Sequence, residues 1–112
     1  MNDLQRLVAE FSEKTDSKLS LPYRALDLCA ESGELAQAIL RDAGYGKREV
    51  AKVSEKTVAE LGDSIFSLLC MANEMNVDVE EVLRNTLATY EKRWQRGGQG
   101  FLERGAVDDV SG

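Results

Sequence analysis

At 112 residues, with 20 acidic against 14 basic side chains and a net charge of −6, the chain is one small domain. Neutralising phosphate along a polymer or a bilayer needs clustered Lys and Arg, so this balance argues against a general binder of nucleic-acid polymers or anionic membranes. The chain has no histidine, which removes Cys/His zinc sites, Ser-His and Cys-His nucleophiles, and the Glu-x-x-His ligands of di-iron bundles.

One proline and few β-branched runs predict an all-α chain. The first helix runs from Asp3, a candidate N-cap, to Lys14, with Leu4, Leu7, Val8 and Phe11 forming one apolar stripe. The second begins at Ser20-Leu21-Pro22, where proline suits the first turn, and continues to about Ala43, ending at Gly44. Residues 44–53 form a connector that carries Lys47, Arg48 and Lys52, the main basic patch ahead of the tail. The third helix begins near Ser54 and runs to about Asn76. From Ile65 to Ala72 it has no charge on any side, which predicts a buried helix. Asp78 is placed to cap a fourth helix, Val79 to about Arg96, whose Val79, Val82, Leu83, Leu87 and Tyr90 make another apolar stripe.

The predicted organisation is therefore an all-α domain over residues 1–96 and a glycine-rich tail over 97–112. A core this small gains from partner chains. The longest uncharged run, Ser64 to Asn73, falls far short of the roughly 20 residues that span a bilayer. Cys29 and Cys70 lie in apolar helical stretches and read as two reduced core thiols of a cytoplasmic protein. The opening Met1-Asn2-Asp3-Leu4-Gln5-Arg6 shows no leader pattern.

Two acidic pairs stand out: Glu31 with Glu34 on the second helix and Glu60 with Asp63 on the third. Residues three apart on a helix share a face, about 5–6 Å apart at Cβ, so each pair can aim two carboxylates at one spot. On a helical wheel Asp63, Ser67 and Met71 fall close to Glu60, which leads two acids into an otherwise apolar face. Asp27, Glu31, Glu34 and Ala38 form the corresponding stripe of the second helix. Converging carboxylates raise one another's pKa values unless a cation intervenes. Oxygen-only ligands favour Mg²⁺ or Mn²⁺, which keep water and substrate phosphates as further ligands. The same acids also fit a solvated face on a non-catalytic helical interaction module, with the third helix as its contact surface.

The segments Leu28-Cys29-Ala30-Glu31-Ser32-Gly33-Glu34-Leu35-Ala36-Gln37-Ala38-Ile39 and Val58-Ala59-Glu60-Leu61-Gly62-Asp63-Ser64-Ile65-Phe66 carry E-x-x-E, a spacer, then E-x-x-D. In this they resemble the all-α nucleoside triphosphate pyrophosphohydrolases of the MazG type, over roughly Leu21 to Trp94. The resemblance implies a four-helix-bundle-like domain assembled as a homodimer or as a homotetramer built of two dimers. It also implies Mg²⁺-dependent cleavage, with Mn²⁺ as the other candidate ion, of a nucleoside triphosphate between its α and β phosphates. The products are a monophosphate and pyrophosphate, and the biological task is often clearance of unwanted nucleotides. By position, Glu31, Glu34, Glu60 and Asp63 become the metal ligands and catalytic carboxylates.

The chain departs from many relatives at Ala30, where they carry an acid, and at Leu87 and Thr89, where they carry Asn and Lys. Candidate phosphate-binding substitutes are Lys47, Arg48, Lys52, Lys56, Lys92 and Arg93, and Trp94 and Tyr90 are candidates for stacking on a base. Phosphoribosyl-ATP pyrophosphohydrolase, which cleaves the same bond with similar acidic pairs, is the alternative enzyme reading. A relative that binds nucleotide without turnover is the other.

Overall fold

A computed structural model describes residues 2–50 and 52–97, which form four helices: α1 (Asp3–Lys14), α2 (Leu21–Asp42), α3 (Glu55–Met75) and α4 (Val79–Gly97). There is no strand among the described residues, so the all-α expectation holds. The chain divides between Val79 and Glu80 into two compact units, the first holding α1 to α3 and the second α4. Beyond Gly97 the expected glycine-rich tail lies outside the described residues. Among them no helix is long and apolar enough to cross a membrane.

Local chemistry sets the helix ends. Asn2, not Asp3, caps α1: its side chain accepts from the Gln5 N–H at 2.9 Å. Asp3 falls in the first turn instead, where a negative charge meets the positive end of the helix dipole. Ser54 caps α3 by accepting from the Thr57 N–H at 3.2 Å, and Asn76 ends that helix in the left-handed conformation with φ 58°. After α2 the chain turns through Gly44 at φ +57°. A Cβ there would meet only the mobile end of the Arg48 side chain, so it is the left-handed backbone of the turn that favours glycine.

α2 and α3 run antiparallel with their polar stripes facing. At one end Asp42 Oδ2 accepts from the Ser54 N–H (3.0 Å), the Ser54 hydroxyl (3.1 Å) and the Thr57 hydroxyl (2.7 Å). In the middle Ser67 Oγ donates to Asp27 Oδ2 at 2.7 Å. These two ties fix which residues of α2 face which residues of α3. α1 packs on α3 through a polar joint. Gln5, fully buried, donates from Nε2 to Asn73 Oδ1 (3.0 Å) and to the Val77 carbonyl (2.7 Å), and its Oε1 accepts from the Val79 N–H (2.8 Å). Phe11 and Phe66 add an edge-to-face contact with centroids 6.0 Å apart.

Burial differs from the sequence expectation in two places. α3 is not enclosed on every side: Ser67, Leu69, Cys70 and Ala72 are buried, whereas Ile65 and Leu68 are 45% and 49% exposed. α2 and α1 can cover one flank of a helix, and a charge-free segment shows only that some apolar partner suits each flank. Likewise Cys70 is buried but Cys29 is exposed, and both thiols are free. Burial pushes the Cys70 thiol above its ordinary value. The stripes of α1 (Leu4, Leu7, Phe11) and α4 (Val82, Leu83, Leu87, Tyr90) are open to solvent in the single chain.

Candidate metal centre

The facing of α2 and α3 brings Glu31 from the first acidic pair against Glu60 and Asp63 from the second. One carboxylate oxygen of each lies within 4.8 Å of the other two. Glu60 is 5% exposed, Glu31 half-buried and Asp63 exposed, so the group opens from the helix interface to solvent. Glu34 is exposed on the next turn of α2 and is not one of the three, but it adjoins them: its carboxyl helps lower that of Glu60 through a side-chain hydrogen bond, and its charge bears on Glu31 and on Lys56.

The carboxylates of the group differ in their surroundings. Glu31 Oε2, Glu60 Oε2 and Ser64 Oγ are buried with no hydrogen-bond partner. Orphaned buried polar atoms are uncommon because each loses its solvation without replacement. Burial, followed by the negative charges of Glu34, Asp63, Asp27 and Glu60, pushes the Glu31 carboxyl above its ordinary value. Glu60 goes the other way: the Lys56 ammonium, 2.7 Å from Oε1, holds its carboxyl below the ordinary value against the opposing effect of burial. Three hard oxygen donors with two orphaned oxygens at the interface, open on one side, could hold a hard divalent cation.

The basic and aromatic candidates are distributed differently. Lys56, one turn before Glu60 on α3, is the only one of them that the described contacts place at the carboxylates. Lys47 and Arg48 are exposed in the connector. Arg48 lies against the end of α2, where its Nη2 donates to the Arg41 carbonyl at 3.4 Å and its charge reaches Asp42. Lys92 and Trp94 are exposed on α4, and Arg93 is half-buried with its guanidinium carbon 5.9 Å from the Tyr90 ring centre.

Arg24 escaped the sequence reading. It is 5% exposed, donates to the Ser17 carbonyl at 2.6 Å, stands 3.7 Å from Asp27 and lies 5.7 Å over the Phe66 ring. The signal for it was the Arg24–Asp27 spacing, i to i+3 on the stripe that leads to Glu31. Arg24 also lines a cavity of about 380 Å³ with Ser12, Lys18, Cys70, Asn73 and Glu74. The polar groups there answer one another: Lys18 with Glu74 at 3.7 Å, Ser12 with Cys70 at 4.0 Å and Asn73 with Gln5.

Comparison with known proteins identifies the family of the chain. Residues 24–97 match the family model of the MazG nucleotide pyrophosphohydrolase domain, a span that holds all four acidic positions. The chain is also similar to the uncharacterized protein YpjD of Bacillus subtilis (strain 168), with 30% identity over 108 residues, 89% of this chain and 95% of that protein. No solved structure gives a significant match. With its family match covering most of the sequence and four helices as its described structure, the chain belongs to the MazG nucleotide pyrophosphohydrolase family.

Proposed function

We propose that this protein hydrolyses nucleoside triphosphates between the α and β phosphates, releasing a nucleoside monophosphate and pyrophosphate, and so clears unwanted nucleotides from the pool. The observation that carries the reading is the pair of orphaned oxygens, Glu31 Oε2 and Glu60 Oε2, in a group completed by Asp63. Such a group is costly when empty and suited to a hard divalent cation. Glu31, Glu60 and Asp63 would hold that ion, with Glu34 adding a fourth carboxylate from the rim. When bound, Mg²⁺ or Mn²⁺ supplies neutralisation of the polyphosphate and a lowered pKa for coordinated water.

The chain's own groups do the rest. A carboxylate oxygen of the cluster that holds no cation accepts the proton of the attacking water. Lys56 donates to Glu60 Oε1 at 2.7 Å and holds its carboxyl below the ordinary value. Lys47 and Arg48 are the proposed connector contacts for phosphate, and Lys92, Arg93 and Trp94 the proposed α4 contacts for nucleotide. The open apolar stripes support assembly as a homodimer or homotetramer, because Val58, Leu61, Ile65 and Leu68 line one exposed flank of α3.

Product analysis tests the reaction. Anion-exchange separation after incubation with Mg²⁺ and a nucleoside triphosphate is expected to show monophosphate and pyrophosphate in equal amounts. Diphosphate with orthophosphate would place cleavage at the other bond and overturn the assignment.

A further inference from the structure

Glu60 uses its two carboxylate oxygens unequally. Oε1 accepts from Lys56 Nζ at 2.7 Å, while Oε2 is buried and has no partner. Lys56 and Glu60 are four residues apart on α3, the spacing at which a lysine reaches a glutamate on the same helix face. We propose that Lys56 is a positioning residue: its hydrogen bond to Oε1 turns the Glu60 carboxylate so that Oε2 is presented to the divalent cation shared with Glu31 and Asp63. This rests on the metal-site reading given above.

The terminal torsion of a glutamate is broad and two-fold, so the carboxylate has no intrinsic preference for which oxygen it points at a neighbour. A donor fixed to one oxygen removes that freedom. With Lys56 in place the Glu60 side chain is only 6% exposed, so the ammonium rather than bulk water satisfies Oε1. The opposite role, a counter-ion that the metal must displace, would require Lys56 to act chiefly through its charge. The lysine side chain is 66% exposed, so solvent screens that charge at the cation while the directed hydrogen bond to the buried carboxylate persists. Outer partners that orient ligating carboxylates set metal affinity in this way, without touching the ion.

The two roles predict opposite signs, which makes Mn²⁺ titration followed by electron paramagnetic resonance of the free ion decisive. Lys56→Met removes both donor and charge, Lys56→Arg keeps both, and Lys14→Met removes one charge from α1, outside the carboxylate group. Positioning predicts that Lys56→Met binds Mn²⁺ about tenfold more weakly than the unaltered protein, the low end of what loss of such a partner does. Lys56→Arg restores most of the affinity, Lys14→Met leaves it unchanged, and helicity is the same in all. Affinity unchanged or tightened in Lys56→Met, or an Arg variant as weak as the Met variant, overturns the positioning role while the metal site stands. No Mn²⁺ binding by the unaltered protein overturns both.

Discussion

Ser67 and Asp27 join α3 to α2 by a hydrogen bond of 2.7 Å, one helical turn from Asp63 on one helix and from Glu31 on the other. Arg24, at 3.7 Å, faces Asp27 from the preceding turn. The carboxylate group is therefore held in register by a tie that contains no proposed metal ligand. Ser67 is 1% exposed, whereas the Asp27 side chain is 36% exposed and keeps water on its outer side. Ser67→Ala is expected to cost about 1 kcal/mol of stability, the scale of an ordinary hydrogen bond, because solvent reaches the Asp27 carboxylate. Urea unfolding measures this, and an unchanged midpoint would show that the tie does not set the helix pairing.

The second tie responds to pH. Hydrogen bonds from the Ser54 N–H and the Thr57 hydroxyl, helped by the Ser54 hydroxyl and the Arg48 charge, hold the Asp42 carboxyl below its ordinary 3.8. A carboxyl lowered in the folded state binds fewer protons there than in the unfolded chain. Its stabilising contribution is thus full above 3.8 and is lost as the pH falls through the lowered folded value. Asp42→Asn is expected to be less stable than the unaltered protein at about pH 7, with the difference shrinking towards about pH 2. A difference that stays constant across that range would remove the carboxylate's charge from the account.

The proposed self-association is tested at the open flank of α3. Burying a Leu or Ile side chain contributes about 1.5–3 kcal/mol, and Leu61 and Ile65 are 47% and 45% exposed. Light scattering is expected to give the unaltered protein a mass of at least two chains. Introducing Leu61→Glu and Ile65→Glu together is expected to return the single-chain 12.4 kDa. A monomer before substitution would contradict the proposal.

The carboxylates themselves are tested by amide substitution. Glu31→Gln, Glu60→Gln and Asp63→Asn are each expected to lower kcat/KM by about 10²–10³-fold, the scale on which one electrostatic stabiliser of a transition state acts. Glu34→Gln is expected to lower it as well. Glu10→Gln, an exposed acid on α1, serves as the control with unchanged turnover. Circular dichroism is expected to show the same helicity throughout.

How much of this was legible beforehand depends on the range of the interaction. The helices were readable because Pro22, Ser54 and Asn76 act within a few residues, and the acidic pairs because three-residue spacing fixes a shared face. Which acids meet is a tertiary matter. Glu31 joins Glu60 and Asp63 because Asp27 meets Ser67 and Asp42 meets Ser54, pairings 40 and 12 residues apart. Arg24 was missed because a cation near the start of a helix looks like surface until Ser17, Asp27 and Phe66 close around it. The open flank of α3 was misjudged for the converse reason, since uniform apolarity says that a surface wants covering and not what covers it.

Pyrophosphate release from a panel of ordinary and modified nucleoside triphosphates, with Mg²⁺, with Mn²⁺ and with chelator, is the most direct test of the central claim. The account predicts release that needs the metal, stops with chelator and is lost in Glu60→Gln. Release that persists in chelator or in Glu60→Gln, or none from any substrate alongside no metal binding, would contradict it.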